Sequence, residues 1–220
     1  MKKKTGLLGI LVGLILLVGC STVYYSVWEK LGKEKRDLLL SKLSNTREAQ
    51  GELKESLEST AQRIQKEYPF DAGQTGKAYD MLSDDYNSVK RRYEAVQHQS
   101  SQANTIARDL FREWEKEANG MEDASLRRQS LQHLRSSKGR FQRLSEQMQR
   151  SIDRVTPLLK KLDDHRLFRK HLLNAKATRS LEKSLKGLEP EIESLKKDVE
   201  KSIQSVTEFE STLKSDGPMT

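Results

Sequence analysis

One side chain in this sequence sits in a setting that prescribes a reaction. Cys20 is the only cysteine among 220 residues, and it closes the stretch Leu17-Val18-Gly19-Cys20. A thiolate is a good nucleophile, and a thioether formed on it is durable. The four residues look like a bacterial lipobox, in which a small residue precedes a cysteine that receives a diacylglycerol and becomes the first residue of the mature chain. What precedes them fits. Lys2, Lys3 and Lys4 make a positive start, and Gly6 to Gly19 is uncharged and rich in Leu, Ile, Val and Gly. That run is shorter than the roughly 20 residues a spanning helix needs and has the layout of a secretory signal. Two acyl chains suffice for stable anchoring, at about 0.8 kcal/mol per buried CH₂.

The expectation is therefore a signal peptide over 1–19 and a lipidated N-terminus over 20–22. Ser21 follows the cysteine. In lipoproteins of Gram-negative bacteria an aspartate there commonly retains the protein on the inner membrane. Its absence resembles the pattern of an outer-membrane protein facing the periplasm. A lone cysteine has no intramolecular partner, so the exported chain must be held by packing alone.

No other residue type is arranged for catalysis. His165 and His171 lie six apart, on different faces of a helix. Asp163 and Asp164 stand beside His165, but no spacing matches a metal motif. There is no glycine-rich phosphate loop, nucleophile elbow or zinc-binding helix signature. The sequence predicts no catalytic residue, no metal and no cofactor, hence not an enzyme.

Two groups could bind rather than react. Tyr24, Tyr25 and Trp28 follow the cysteine almost directly, with Lys30, Lys33, Lys35 and Arg36 nearby. Tyr and Trp favour the membrane interface and lysines favour anionic headgroups. This turn is a candidate for resting on the bilayer, against the alternative that Tyr24, Trp28 and Leu31 begin the core. The second group is basic. Between Arg127 and Lys170 there are 13 Lys/Arg against 4 Asp/Glu. Arg127, Arg128, Arg135, Lys138, Arg140, Arg143, Arg150 and Arg154 form a candidate anion-binding stripe. The alternative is that the stripe faces Glu182 to Glu210, where 5 lysines meet 8 acids. An exported, lipid-tethered chain rarely meets nucleic acid.

These residues must be carried by long helices. Charged residues are 33%, hydrophobics 35% and aromatics 6%, with four prolines. That profile suits helices with narrow apolar stripes. Cleavage before Cys20 removes three lysines and takes the formal charge from +8 to +5. Four helical stretches are predicted: 23–68, 76–118, 123–173 with a kink at Pro157, and a fourth from near "LLNAKA" to about 214. "YPFDAGQTGK" reads as a loop, Asn119-Gly120 as a C-terminal stop and Asp123 as an N-cap.

Tyr79, Leu82, Tyr86, Val89, Tyr93, Val96, Ser100, Ala103, Ala107, Leu110 and Trp114 keep a 3-4 spacing throughout. So do Leu181 to Val199 and, in part, Phe141, Leu144, Met148, Ile152, Val155, Leu159 and Leu162. The first stretch keeps its stripe less regularly through Leu39, Leu43, Leu53, Leu57 and Ile64. A 3.5-residue repeat argues for coiled-coil packing, and short loops make neighbours antiparallel. The fold class is all-α: an elongated antiparallel helical bundle or coiled coil of three to four long helices over 23–214, with a disordered tail at 215–220. A helical hairpin completing its core by dimerising is the alternative, so a homo-oligomer stays open.

At "YYSVWEKLGKEKRDLL", "LFREWEKE", "SLRRQS" and "LFRKHLLNAKA" the chain resembles a family of uncharacterised bacterial lipoproteins, domain of unknown function 2959. The resemblance runs from about Thr22 to Phe209. It implies an exported, largely helical protein and supplies no activity. The expected role is a structural or protein-interaction module of the cell envelope, anchored to membrane lipid through acylated Cys20 and bound to an envelope protein. The alternative is a binder of anionic envelope lipid or glycan through the basic third helix.

Overall fold

The computed structural model describes residues 5–68, 74–170 and 175–215, with side chains for 34–68, 74, 76–169 and 181–215. These residues form six helices: α1 (Thr5–Lys66), α2 (Thr75–Asn119), α3 (Ala124–Asp153), α4 (Val155–Lys170), α5 (Ala175–Lys186) and α6 (Glu189–Ser215). Four rods result, because α3 runs into α4 and α5 into α6. Among the described residues no helix is long and apolar enough to cross a membrane.

The rods close into a ring. α1 packs on α2 and α6, α2 on α3 and α4, and α3 on α6. Side-chain pairs fix the direction of each neighbour. Glu52 meets Arg92 at 2.6 Å, while Ser56, one turn further on, meets Ser88 at 2.9 Å. Gln50 pairs with Ser202 at 2.7 Å and Lys54 with Glu200 at 3.1 Å. Asn104 pairs with Ser145 at 2.8 Å, and Trp114 Nε1 donates to Ser130 at 2.9 Å. Every neighbour is antiparallel, as the short connections require. One chain completes the core, so the hairpin awaiting a dimer partner is not the arrangement found.

The stripes are more regular than the apolar residues alone suggest. Along α1, Leu39, Leu43, Thr46, Gln50, Leu53, Leu57, Thr60 and Ile64 are all buried and alternate steps of four and three. The sequence reading lost the repeat where Thr46, Gln50 and Thr60 take apolar positions. Along α3 and α4 the buried set is Leu134, Ser137, Phe141, Leu144, Met148, Ser151, Ile152, Val155, Leu158, Leu162, His165 and Arg169. Here Ile152 is buried as expected, beside Ser151, whereas Leu158 is fully buried and Leu159 packs only partly against the core. Burying each such Leu contributes roughly 1.5–3 kcal/mol.

The core divides into two apolar clusters. The proximal one, at the end where α1 enters, joins Leu39 and Leu43 to Ala107, Phe141, Met148 and Phe209. Phe141 stands edge-on to Phe111 and Phe209 at 5.9 and 5.5 Å. The distal cluster runs from Ala49 to Tyr68 on α1 and includes Leu82, Leu162 and Leu185. Gln50, Ser100, Ser151 and Ser202 are buried between them. Ser151 donates to the Asp198 carbonyl at 3.2 Å, tying α3 to α6 at this waist.

The breaks have readable causes. Asp123 caps α3, its Oδ1 accepting from the Ser125 and Leu126 amides at 2.7 and 2.9 Å. Gly120 ends α2 at φ −80°, in the right-handed region, so it does not form the left-handed cap expected of Asn119-Gly120. Its amide still bonds the Glu117 carbonyl at 3.0 Å, and the cap at Asp123 turns the chain. The α3–α4 break falls at Arg154, one turn before Pro157, which has no N–H for the Asp153 carbonyl. The α5–α6 break falls at Gly187, where a Cβ would lie 3.1 Å from the Ser184 carbonyl oxygen. His171 and residues 172–174 of the expected "LLNAKA" break, 69–73 of the loop and 216–220 of the tail lie outside the described residues.

Candidate functional site

Two regions held candidates in the sequence, and the structure adds a third. Cys20, Tyr24, Tyr25 and Trp28 lie within the helical backbone of α1, but their side chains are outside the described set. The helix that enters the bundle therefore begins before the cysteine and passes through it without a break.

The basic stripe is a ladder along α3, not a single site. Arg127 to Arg154 spans about 40 Å at 1.5 Å per residue. Arg154 crosses to α6, pairing with Asp198 and donating to Ser194 at 3.0 Å. That contact fulfils the reading in which the stripe faces its acidic neighbour. Most of the others do not. Arg127 donates to the Met121 carbonyl at 3.1 Å, Arg140 to Ser137 at 3.2 Å, and Arg150 stands 3.9 Å from Glu146 on its own helix. Among the described residues Arg128, Arg135, Lys138 and Arg143 form no ion pair, and all four are exposed. Lys138 lines a shallow groove of about 370 Å³ between α2 and α3, with Arg108, Arg112 and Phe141.

The third region, at the distal end, was missed. Asp85 is 1% exposed. It accepts from the Tyr68 hydroxyl at 2.5 Å and faces the Arg63 guanidinium at 3.3 Å. Burial raises the Asp85 carboxyl, opposed by the Tyr68 hydrogen bond and the Arg63 charge. Burial also raises the Tyr68 phenol, with the Asp85 charge adding to it. His165 and Arg169 occupy the next core positions of α4, and burial lowers both. His165 lies 3.4 Å from Ser184 and lines an open groove of about 620 Å³ with Lys161, Asp164, Phe168, Leu188 and Glu191. The Tyr68–Asp85–Arg63 group ties the α1–α2 end together through charge-assisted contacts. The signal was present in the sequence: the 3-4 repeat of α3 and α4 continues without a slip into His165 and Arg169.

Among the described residues no group of three His, Cys, Asp or Glu converges as metal ligands. A family described as "Protein of unknown function (DUF2959)" matches residues 24–213. The chain belongs to that family. The match begins after Cys20, so the DUF2959 region corresponds to the bundle with the entering part of α1 and leaves the N-terminal apolar run outside it. No curated protein and no solved structure matches the chain.

Proposed function

We propose that this DUF2959 protein is a membrane-anchored lipoprotein, facing the periplasm from the outer membrane, whose bundle serves as a structural or protein-interaction module. The observation that carries the reading is the path of α1. It runs helical without a break from Cys20 to Lys66, the part that remains after cleavage before Cys20, and its later turns supply one wall of the core. An acylated Cys20 would therefore hold a rod rather than a loosely tethered domain. The proposed role is non-catalytic: the helix faces present charged and polar side chains to an envelope protein. A second reading, binding of anionic envelope lipid or glycan, is favoured by the four exposed cations of α3 that form no ion pair among the described residues.

The test is affinity purification of the tagged full-length chain from cross-linked cell envelopes, identifying proteins and lipids together. The proposal expects a stoichiometric envelope protein and a chain that carries a radiolabelled acyl group lost in Cys20→Ala. Acidic lipid or glycolipid without a protein partner would replace the first reading with the second. An unacylated chain in the aqueous fraction would overturn the anchor.

A further inference from the structure

Every rod crosses the waist on a polar residue. On α1, Leu43 belongs to the proximal cluster and Ala49 to the distal one, with Thr46 between them and Gln50 beside Ala49. On α2 the crossing from Val96 to Ala103 falls on Ser100. On α3 the crossing from Met148 to Ile152 falls on Ser151, and on α6 that from Val199 to Val206 falls on Ser202. All five polar side chains are buried. They make one polar layer through the whole bundle.

The layer couples the two halves weakly. A large apolar side chain at such a position would pack on the core above and below it and join the clusters into one. Hydroxyl and amide groups are buried only as they find hydrogen bonds. Gln50 reaches Ser202 at 2.7 Å, Ser151 reaches the Asp198 carbonyl at 3.2 Å, and Thr46 turns back to the Lys42 carbonyl at 2.8 Å. These bonds join rods at one level or stay within one helix. Gln50 Oε1 and Ser100 Oγ are buried with no hydrogen-bond partner among the described residues.

The halves are unequal. The distal cluster is the longer one, but three features weaken it. Beyond the layer the third rod breaks at Arg154 and the fourth at Gly187, which leaves α4 with 16 residues and α5 with 12. Helices of that length are marginal without packing. The distal core buries Asp85, His165 and Arg169, whereas among the described residues the proximal core buries one side chain of this kind, Glu210, paired with Arg47 at 3.1 Å. Such groups are costly to bury. The groove between α4 and the α5–α6 rod is about 620 Å³, against about 370 Å³ between α2 and α3. The proximal core has instead the edge-on set of Phe111, Phe141 and Phe209.

We infer that the bundle unfolds in two stages: the distal half opens first, and the opening stops at the polar layer. In the first stage the distal turns of all four rods lose packing and helix together, while the proximal half stays closed around Phe141. This goes beyond the proposed function and does not depend on the lipid anchor.

The test is amide hydrogen exchange of the full chain in detergent, resolved to single residues. α2 decides it, because one unbroken helix passes through both halves and only the layer marks a place along it. The expected result is a step in protection within one turn of Ser100. Amides from Leu82 to Val96 should exchange at least about tenfold faster than those from Ala103 to Phe111. α1 should step at the same level, between Leu43 and Leu53. Val206→Ala should speed the proximal amides about tenfold and leave the distal ones unchanged, because Val206 stays packed in the first stage. Uniform protection along α2, a step elsewhere on it, or a faster proximal half would overturn the inference. Equal acceleration of both halves in Val206→Ala would overturn it too, since that is the behaviour of one cooperative unit.

Discussion

Replacing Gln50 by leucine should stabilise this bundle. Gln50 is 1% exposed and occupies a core position of α1. Its Nε2 donates to Ser202 at 2.7 Å, and its Oε1 is buried with no hydrogen-bond partner among the described residues. Losing the one bond costs about 1 kcal/mol, while removing the unpaired acceptor returns about 1–3 kcal/mol. Leucine adds apolar burial without a large change in volume. Ser202 can donate to a carbonyl of its own helix, as Thr46 does to Lys42 at 2.8 Å. The net expectation is a gain of about 1–2 kcal/mol, or a rise in Tm of about 2–8 °C for a chain of this size. Circular dichroism melts of the full chain and of Gln50→Leu, in the same detergent, would read it. A fall in Tm would refute the reasoning and mean that an ordered water or a register requirement makes the waist polar. A buried polar residue in a heptad position can hold register at a cost in stability.

Phe141→Ala should cost about 3–5 kcal/mol, because Phe141 is 6% exposed and bridges Phe111 and Phe209; urea unfolding would show a lower midpoint. Asp85 titrates above its ordinary 3.8 in the fold, so the stability linked to its proton is complete below pH 3.8 and lost as pH rises through the folded value. Asp85→Asn should remove that slope, read by urea melts between about pH 3 and 6. His165 titrates below its ordinary 6.5, so its contribution is present above pH 6.5 and lost as pH falls. His165→Gln should flatten stability against pH on that acid side, and an unchanged slope would mean the ring is hydrated.

The long rods were legible because apolar residues recur every 3.5 positions. Leu181 to Val199 lie buried where the repeat places them, as do Leu82, Val89, Val96, Ala103, Ala107 and Leu110, while Tyr79, Tyr86, Tyr93 and Trp114 of the same stripe are only partly buried. Asp123 was legible as a cap for a local reason, a short carboxylate two and three residues before free amides. What escaped were the polar residues inside the repeat. Gln50, His165 and Arg169 read as surface by type, and only the register carried through them reveals their burial, whereas Asp85 is buried one residue before Tyr86 of the expected stripe. The split at Gly187 was legible as weakness, whereas its place depended on how closely the Ser184 carbonyl approaches. The basic stripe was legible as charge. Which of its members face an acid depended on rotation about the α3 axis, so Arg154 found Asp198 while Arg128 and Arg143 found water.

The shared 3-4 register has a consequence for how such a protein could change size. Tyr68 lies 48 residues after Cys20 on α1, about 72 Å along a straight axis. Removing one or two residues from a single rod would rotate every later side chain off the core. Only whole repeats, taken from all four rods at one level, leave the packing intact. The reach of the bundle is therefore quantised, in steps of about 10.5 Å per seven residues, and any relative built on this plan should be longer or shorter by such steps.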